Sequence, residues 1–184
     1  MNKKIIWSLL LMIVVAALYR VIPGRPYGFA PQIAMALFGG AVIKDRKWAF
    51  ALPLFSMFIS DLLYAVLFAA GISELPGFYD GQLLNYIFMA GITFFGFLIN
   101  KLSVLRIAAL SIVAPTAFFL VSNFATWIGG GGYQRPKNFS GLMQAYADGV
   151  PFYTNSIAGT LFFSIILFGG YYLLNRNSVT PKIA

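Results

Sequence analysis

Long apolar stretches run through the chain, and short segments that are polar or contain glycine and proline separate them. A helix needs about 20 apolar residues to cross the hydrocarbon core of a bilayer, and shorter helices thin the bilayer or sit inside a bundle. The stretches predict six transmembrane helices, at residues 5–22, 30–43, 48–70, 83–99, 104–128 and 152–174. We therefore predict an all-α integral membrane protein in which residues 1–184 form a single transmembrane domain.

The number of helices depends on residues 30–43, a short segment rich in alanine and glycine. The segment carries no charge and is followed by the charged residues Lys44, Asp45, Arg46 and Lys47. This pattern favours a helix packed closely between its neighbours. If the segment does not span the membrane, five helices remain and the N-terminus lies outside.

The N-terminus carries Lys3 and Lys4 directly before the first apolar run, as a signal peptide does. That run has 18 residues, whereas the apolar part of a signal peptide usually has about 7–15. We therefore expect a retained helix. Lysines at this position prefer the cytoplasm, which favours six helices with both termini cytoplasmic.

The basic residues can be counted on each side of the predicted membrane. With the N-terminus inside, the inner side holds nine of them and the outer side four, as the positive-inside rule requires. Five helices with the N-terminus outside give the same ratio, so the count does not decide between the two. The inner residues are Lys3, Lys4, Lys44, Arg46, Lys47, Lys101, Arg106, Arg176 and Lys182, and the outer ones are Arg20, Arg25, Arg135 and Lys137.

Composition supports membrane residence. Hydrophobic residues make up 60% of the chain and charged residues 10%, whereas soluble domains carry about 25% charged residues. Because so few charges cannot cover a water-exposed surface, we expect the lipid bilayer to be a partner of the protein. The net charge of +8 lies at helix ends rather than in one patch, and we expect no binding of nucleic acid.

The longest predicted connection, residues 129–151, begins with four glycines, which continue a helix only at a cost. Further on, Ser140 can cap a short amphipathic helix that Gly149 and Pro151 would stop. We predict an interfacial helix in this fifth loop. It either covers the outer mouth of the bundle or rests on the lipid headgroups.

Several kinds of chemistry lack the residues that they need. The chain has no cysteine and no histidine, which removes thiol catalysis, histidine-based catalysis and the usual zinc sites. The predicted spans hold one carboxylate, Asp61, whereas an intramembrane aspartyl protease needs two. We expect no enzymatic activity, no cofactor and no bound metal.

Asp61 stands between apolar residues in the third predicted helix. A charge inside a membrane is costly, so it faces a partner or a cavity. At a rise of 1.5 Å per residue it lies about 20 Å beyond Trp48, in the outer half of the bilayer. Arg20 ends the first helix on the same side. Asp61 therefore either forms a structural ion pair with Arg20 or contacts a ligand.

Other polar residues are predicted at the same depth. Asn123 and Trp127 share a face of the fifth helix because they are four residues apart. Binding pockets combine apolar and aromatic walls with a few converging polar groups. We predict a pocket open to the outside, although each amide could equally bond a neighbouring helix. The remaining members are Gln32 at the start of helix two, Asn85 and Tyr86 in helix four, and Thr154, Asn155 and Ser156 in helix six.

Four segments resemble a family of uncharacterised small bacterial membrane proteins. They are FAPQIAMALFGGA at residues 29–41, SDLL at 60–63, SNFATW at 122–127 and PFYTNSIAG at 151–159. The resemblance covers roughly residues 15–172 and implies a multi-pass protein of the bacterial inner (cytoplasmic) membrane. It implies no function.

More distantly, the pattern is similar to the S components of energy-coupling-factor vitamin transporters. Both have six helices, cytoplasmic ends and a first outer loop that leads into a small-residue second helix. The resemblance implies capture of a vitamin or a precursor from the outer side, for uptake. It implies ligand contacts by Tyr27, Gln32, Asp61, Asn85, Asn123, Trp127 and Asn155.

The first helix departs from that pattern. S components carry small residues early in helix one, where a coupling subunit docks, whereas residues 5–12 here read IIWSLLLM and are bulky. An S-component-like protein that works alone fits both observations. The alternative is an accessory or assembly subunit of a larger membrane complex. Its interface with a membrane-protein partner would be the small residues Ala34, Ala36, Gly39 and Gly40.

Overall fold

The computed structural model describes residues 3–175, except for the side chain of Lys4. These residues form six helices and no strand, which confirms the all-helical prediction. Arg176, Lys182 and the C-terminus, which we predict to be cytoplasmic, lie outside the described residues. The helices are α1 Lys3–Arg20, α2 Gln32–Val42, α3 Arg46–Ala69, α4 Gln82–Phe97, α5 Val104–Gly129 and α6 Phe139–Asn175.

Polar side chains and glycines set several of the helix ends. Asp45 accepts a hydrogen bond from the backbone N–H of Lys47 at the start of α3, and Ser103 does the same for Arg106 at the start of α5. Such caps satisfy N–H groups that have no partner within the helix. Gly130, with a φ of 76°, ends α5 in the left-handed conformation that glycine adopts most readily.

The short helix α2 lies at the centre of the bundle, in contact with α3, α4, α5 and α6. Two glycines bring its backbone close to its neighbours. A Cβ at Gly40 would lie 2.5 Å from the carbonyl oxygen of Thr93 in α4, and one at Gly39 would lie 2.7 Å from that of Ala49 in α3. The core therefore forms around α2, whose residues 32–39 are all buried.

This packing corrects one prediction. The proposed partner interface of Ala34, Ala36, Gly39 and Gly40 is occupied by the protein's own helices, and both alanines have no exposed surface. Small residues allow close helix contact but do not specify whose helix fills the space. Ala34, Ala36 and Gly39 therefore offer no surface to a second membrane protein, and the partly exposed Gly40 lies against α4.

The sixth helix corrects another prediction. It is continuous over 37 residues, about 55 Å at 1.5 Å per residue, so the fifth loop holds no separate interfacial helix. Pro151 lies inside the helix and does not stop it. A Cβ at Gly149 would overlap the side chain of Asn123, so the glycine allows α6 to pack closely against α5. The first turns of α6 extend its packing along α5, where the Tyr146 hydroxyl donates to the carbonyl of Leu120 at 3.2 Å.

Three helices, α3, α5 and α6, are long and apolar enough to cross a membrane, while α1, α2 and α4 are shorter apolar helices. Large apolar side chains such as Leu105, Ile165 and Leu174 point away from the bundle, with at least 73% of their surface exposed. Apolar surface on this scale marks a membrane-facing protein. Successive helices run in alternating directions, so the bundle has two ends. The Arg20 end carries residues 21–31, 70–81 and 130–138, and the Lys44 end carries residues 43–45 and 98–103.

Candidate functional site

The carboxylate of Asp61 is the centre of a buried polar network near the Arg20 end. Asp61 is 1% exposed, and three side chains from two other helices donate to it. Arg20 of α1 forms an ion pair with Oδ1, and Gln82 of α4 donates to Oδ2. The hydroxyl of Tyr86, one turn further along α4, also donates to Oδ2 at 2.5 Å. Both carboxylate oxygens are therefore bonded within the protein, as a buried charge requires.

Arg20 has its own set of partners. Its Nη1 atom donates to the hydroxyl of Ser60 at 2.6 Å and to the carbonyl of Met57 at 3.4 Å. Its backbone carbonyl accepts from the hydroxyl of Tyr64 at 2.6 Å. The network thus joins the end of α1 to two turns of α3.

Asn85 lies at the edge of the same network. Its amide nitrogen donates to Gln82 Oε1 at 3.2 Å and to the hydroxyl of Tyr79 at 2.8 Å. The ring of Tyr79 is exposed, but burial towards the network raises the pKa of its hydroxyl, which stays protonated at neutral pH. Asn85 is therefore held by protein groups on both sides.

Sequence reasoning included Arg20, Asp61, Asn85 and Tyr86 but missed Gln82. The spacing offered a signal, because Gln82 and Tyr86 are four residues apart and must share a face of α4. With both oxygens of its carboxylate bonded inside the bundle, Asp61 links α1, α3 and α4. Because the carboxylate is buried, a ligand could reach it only if a neighbouring group moved.

The other residues predicted to bind a ligand lie in two separate groups. Near the end of α5, Asn123 donates to the carbonyl of Phe119 and Trp127 donates to that of Pro136, both at 2.9 Å. Asn155 of α6 donates to the carbonyl of Tyr27 at 2.9 Å. These residues do not converge with Asp61 on one cavity.

Gln32 differs from all of these residues. It is 3% exposed at the start of α2, and neither its amide oxygen nor its amide nitrogen has a hydrogen-bond partner among residues 3–175. The hydroxyl of Thr160 in α6 is also buried and unpartnered within that range. Thr160 follows Gly159, where a Cβ would lie 3.0 Å from the backbone nitrogen of Ala30. Both groups therefore lie near the contact between the start of α2 and α6. No pattern in the sequence pointed to Thr160.

Unsatisfied buried polar groups are rare, because each costs about 1–3 kcal/mol. A structure that keeps three such atoms in one region therefore needs a reason. The Gln32 amide offers one acceptor oxygen and a nitrogen with two donor hydrogens. The Thr160 hydroxyl can both accept and donate. These groups are therefore free to accept and to donate further hydrogen bonds.

The connection of residues 21–31 covers this region. Phe29 contacts the rings of Phe162 and Phe163, with centroids 5.8 Å away in each case. A Cβ at Gly28 would overlap the carbonyl of Phe152, so the connection lies directly on α6. Arg25 holds its shape by donating to the backbone carbonyls of Arg20 and Phe29. Gln32 therefore follows directly after a connection that is packed on α6.

Comparison with known proteins identifies a family but no function. The model of a family of unknown function, DUF6580, matches residues 1–182. No curated protein and no solved structure matches the chain.

Proposed function

The chain belongs to the DUF6580 family of unknown function, and we propose that it binds a small polar solute from the outer side of a bacterial inner membrane, for uptake. The observation that carries this proposal is the buried amide of Gln32, which has no partner among the described residues. In this proposal all six helices span the membrane, both termini are cytoplasmic and the Arg20 end faces outward. The distribution of basic residues supports that orientation.

The proposed site lies beneath residues 21–31. Gln32 supplies an acceptor and two donors, and the hydroxyl of Thr160 supplies a further bond. Aromatic rings of α6 and Phe29 provide the apolar wall that small-molecule sites usually have. The matching solute is neutral and compact, with a donor and an acceptor on one edge, as in an amide or a nitrogen heterocycle. Water-soluble vitamins and their precursors belong to this class.

In this proposal the network of Asp61 is the fixed part of the site and residues 21–31 are the moving part. Arg20 anchors the beginning of that connection because its side chain is bonded to α3. The contacts that close the connection over α6 are one hydrogen bond, from Asn155, and several ring contacts. Few bonds need to break for the connection to open, which suits the exchange of a solute.

A thermal-unfolding screen tests the function. The purified protein is heated in mild detergent with water-soluble vitamins and their precursors, each at a concentration of about 1 mM. A solute present at 100 times its Kd stabilises the folded state by about 2.7 kcal/mol, which raises the unfolding temperature by a few degrees. We expect stabilisation by a solute of the stated class and none by compounds that lack the donor–acceptor edge. The proposal is wrong if no compound in the screen stabilises the protein.

A further inference from the structure

A cavity of about 390 Å³ opens at the Lys44 end, where the connection between α2 and α3 meets the end of α4. Its polar lining includes Lys44, Arg46 and Asn100, and its apolar lining includes Phe97 and Ile99. The cavity is therefore amphipathic, with two cations beside an aromatic floor.

The two cations have no carboxylate partner among the side chains of residues 3–175. Asp45, the nearest acid along the chain, accepts a hydrogen bond from the backbone N–H of Lys47 instead. The guanidinium of Arg46 lies 3.9 Å from the centre of the Phe97 ring. That contact fixes the position of the charge and leaves the N–H groups free to bond an anion. An arginine held against an aromatic ring, an exposed lysine and an amide together suit a phosphate group.

A second, apolar concavity of about 480 Å³ begins beside the first, at Lys47. It follows α3 past Phe50 and Leu54 to Phe58, and Tyr86 of α4 lies at its other side. From Lys47 to Phe58 the helix rises about 16 Å, so the groove runs along the bundle wall. The rings of Phe50 and Phe97 meet edge to face, with centroids 5.8 Å apart. The groove and the charged cavity are therefore adjacent parts of one surface.

We propose that this surface binds an anionic phospholipid, with its phosphate at Lys44 and Arg46 and one acyl chain in the groove along α3. A free phosphate-bearing solute would use the cavity but not the groove, whereas a phospholipid uses both. Basic residues at a membrane surface attract anionic headgroups, and the groove gives an acyl chain a defined path. This site is at the opposite end of the bundle from Gln32 and does not depend on the proposed function.

Native mass spectrometry of the detergent-purified protein tests this site. The protein is titrated with phosphatidylglycerol and, separately, with phosphatidylcholine that carries the same acyl chains. We expect the wild type to bind phosphatidylglycerol more tightly. The double variant Lys44→Gln with Arg46→Gln removes two headgroup contacts, so we expect its affinity for phosphatidylglycerol to fall about thirty-fold. Its affinity for phosphatidylcholine, which carries the same phosphate but no net charge, should fall much less.

Two further variants separate this site from general charge attraction. Arg106→Gln removes one cation from the same end but outside the cavity, and we expect its affinity for phosphatidylglycerol to match the wild type. Ala51→Phe fills part of the groove and keeps both cations. It should therefore lower the affinity for phosphatidylglycerol that carries long acyl chains. Should the double variant unfold, Lys44→Gln alone, at an exposed position, should lower the affinity about five-fold.

Three outcomes would overturn the proposal. The wild type could bind both lipids equally, which removes the role of the charge. Arg106→Gln could lose as much affinity as the double variant, which makes the effect a general property of the basic end. Inorganic phosphate at millimolar concentration could displace phosphatidylglycerol while Ala51→Phe had no effect, which would make the cavity a site for a free phosphate.

Discussion

Arg20 and Asp61 are 41 positions apart in the chain and form an ion pair between the end of α1 and the middle of α3. The carboxylate is buried, whereas 23% of the arginine side chain is exposed. Gln82 and Tyr86 of α4 donate to the second carboxylate oxygen. One carboxylate thus connects three helices. Removing it would leave the Gln82 and Tyr86 donors without this acceptor and Arg20 without its counter-charge.

Asp61→Ala should be among the most destabilising substitutions in the bundle. Loss of one member of a fully buried ion pair costs about 3–5 kcal/mol. We expect a cost near the lower end of that range, because 23% of the Arg20 side chain is exposed. Replacing both members, as Arg20→Met with Asp61→Leu, should cost less than the two single substitutions together. Unfolding free energies measured by denaturant titration in mixed micelles provide the comparison.

The control for these single and double substitutions is Asp80→Asn, which changes an exposed acid at the same end of the bundle. A surface substitution away from specific contacts usually changes stability by less than about 0.5 kcal/mol. Strict additivity of the Arg20 and Asp61 substitutions would contradict an energetically coupled pair.

Close packing of α2 on α4 predicts opposite effects of alanine at two glycines of α4. A Cβ at Gly96 would lie 2.5 Å from the carbonyl oxygen of Leu37, whereas one at Gly91 would meet nothing within 4 Å. Gly96→Ala should therefore cost about 1–3 kcal/mol through overpacking. Gly91→Ala should stabilise by about 0.5–1 kcal/mol, because alanine loses less backbone freedom on folding. Equal effects of the two substitutions on the unfolding midpoint would argue against this contact.

The sequence predicted both ends of each of the first five helices to within two residues, because long apolar runs and strong breaks such as Pro23 with Gly24 define them locally. It failed at the start of α6. Gly149 and Pro151 usually stop a helix, but here the helix continues, and Gly149 lies against Asn123 of α5. That contact joins residues far apart in the chain, and local patterns cannot predict it.

In the candidate site, too, the sequence predicted what depends on local pattern and missed what depends on contacts between distant residues. The depth of Asp61 and Arg20 along their helices could be counted from the sequence, so both fell into one layer of the predicted bundle. Which polar residues would be bonded depends on helix rotation and on neighbours. Asn123, Trp127 and Asn155 each bond a backbone carbonyl, and Gln32 bonds no described residue. Periodicity did not distinguish these cases.

Gln32→Met tests the unpartnered amide directly. Methionine has nearly the same length and no hydrogen-bonding group of that strength. Without ligand, we expect the variant to be more stable than the wild type by about 1 kcal/mol, because the desolvation cost of the amide disappears. Stabilisation by any solute found in the screen should be lost. Gln144→Met, at an exposed position of α6, should leave both quantities unchanged.

A less stable Gln32→Met variant would mean that the amide has a partner in the folded protein. A more stable variant that still responds fully to the solute would place the solute elsewhere. The two measurements therefore test the unpartnered state of the Gln32 amide and the proposed function separately.

The proposed orientation can be tested by cysteine labelling, since the chain contains no cysteine and gives no background. Lys101→Cys places a thiol at the Lys44 end, and Asp80→Cys and Gln134→Cys place one at the Arg20 end, all at exposed positions. If the Arg20 end faces outward, a membrane-impermeant maleimide should label positions 80 and 134 in cells whose inner membrane is intact. Position 101 should react only after that membrane is opened. Labelling at position 101 alone would show that the Lys44 end, and not the Arg20 end, faces outward. Labelling at all three positions in intact cells would exclude a bundle whose two ends lie on opposite sides of the membrane.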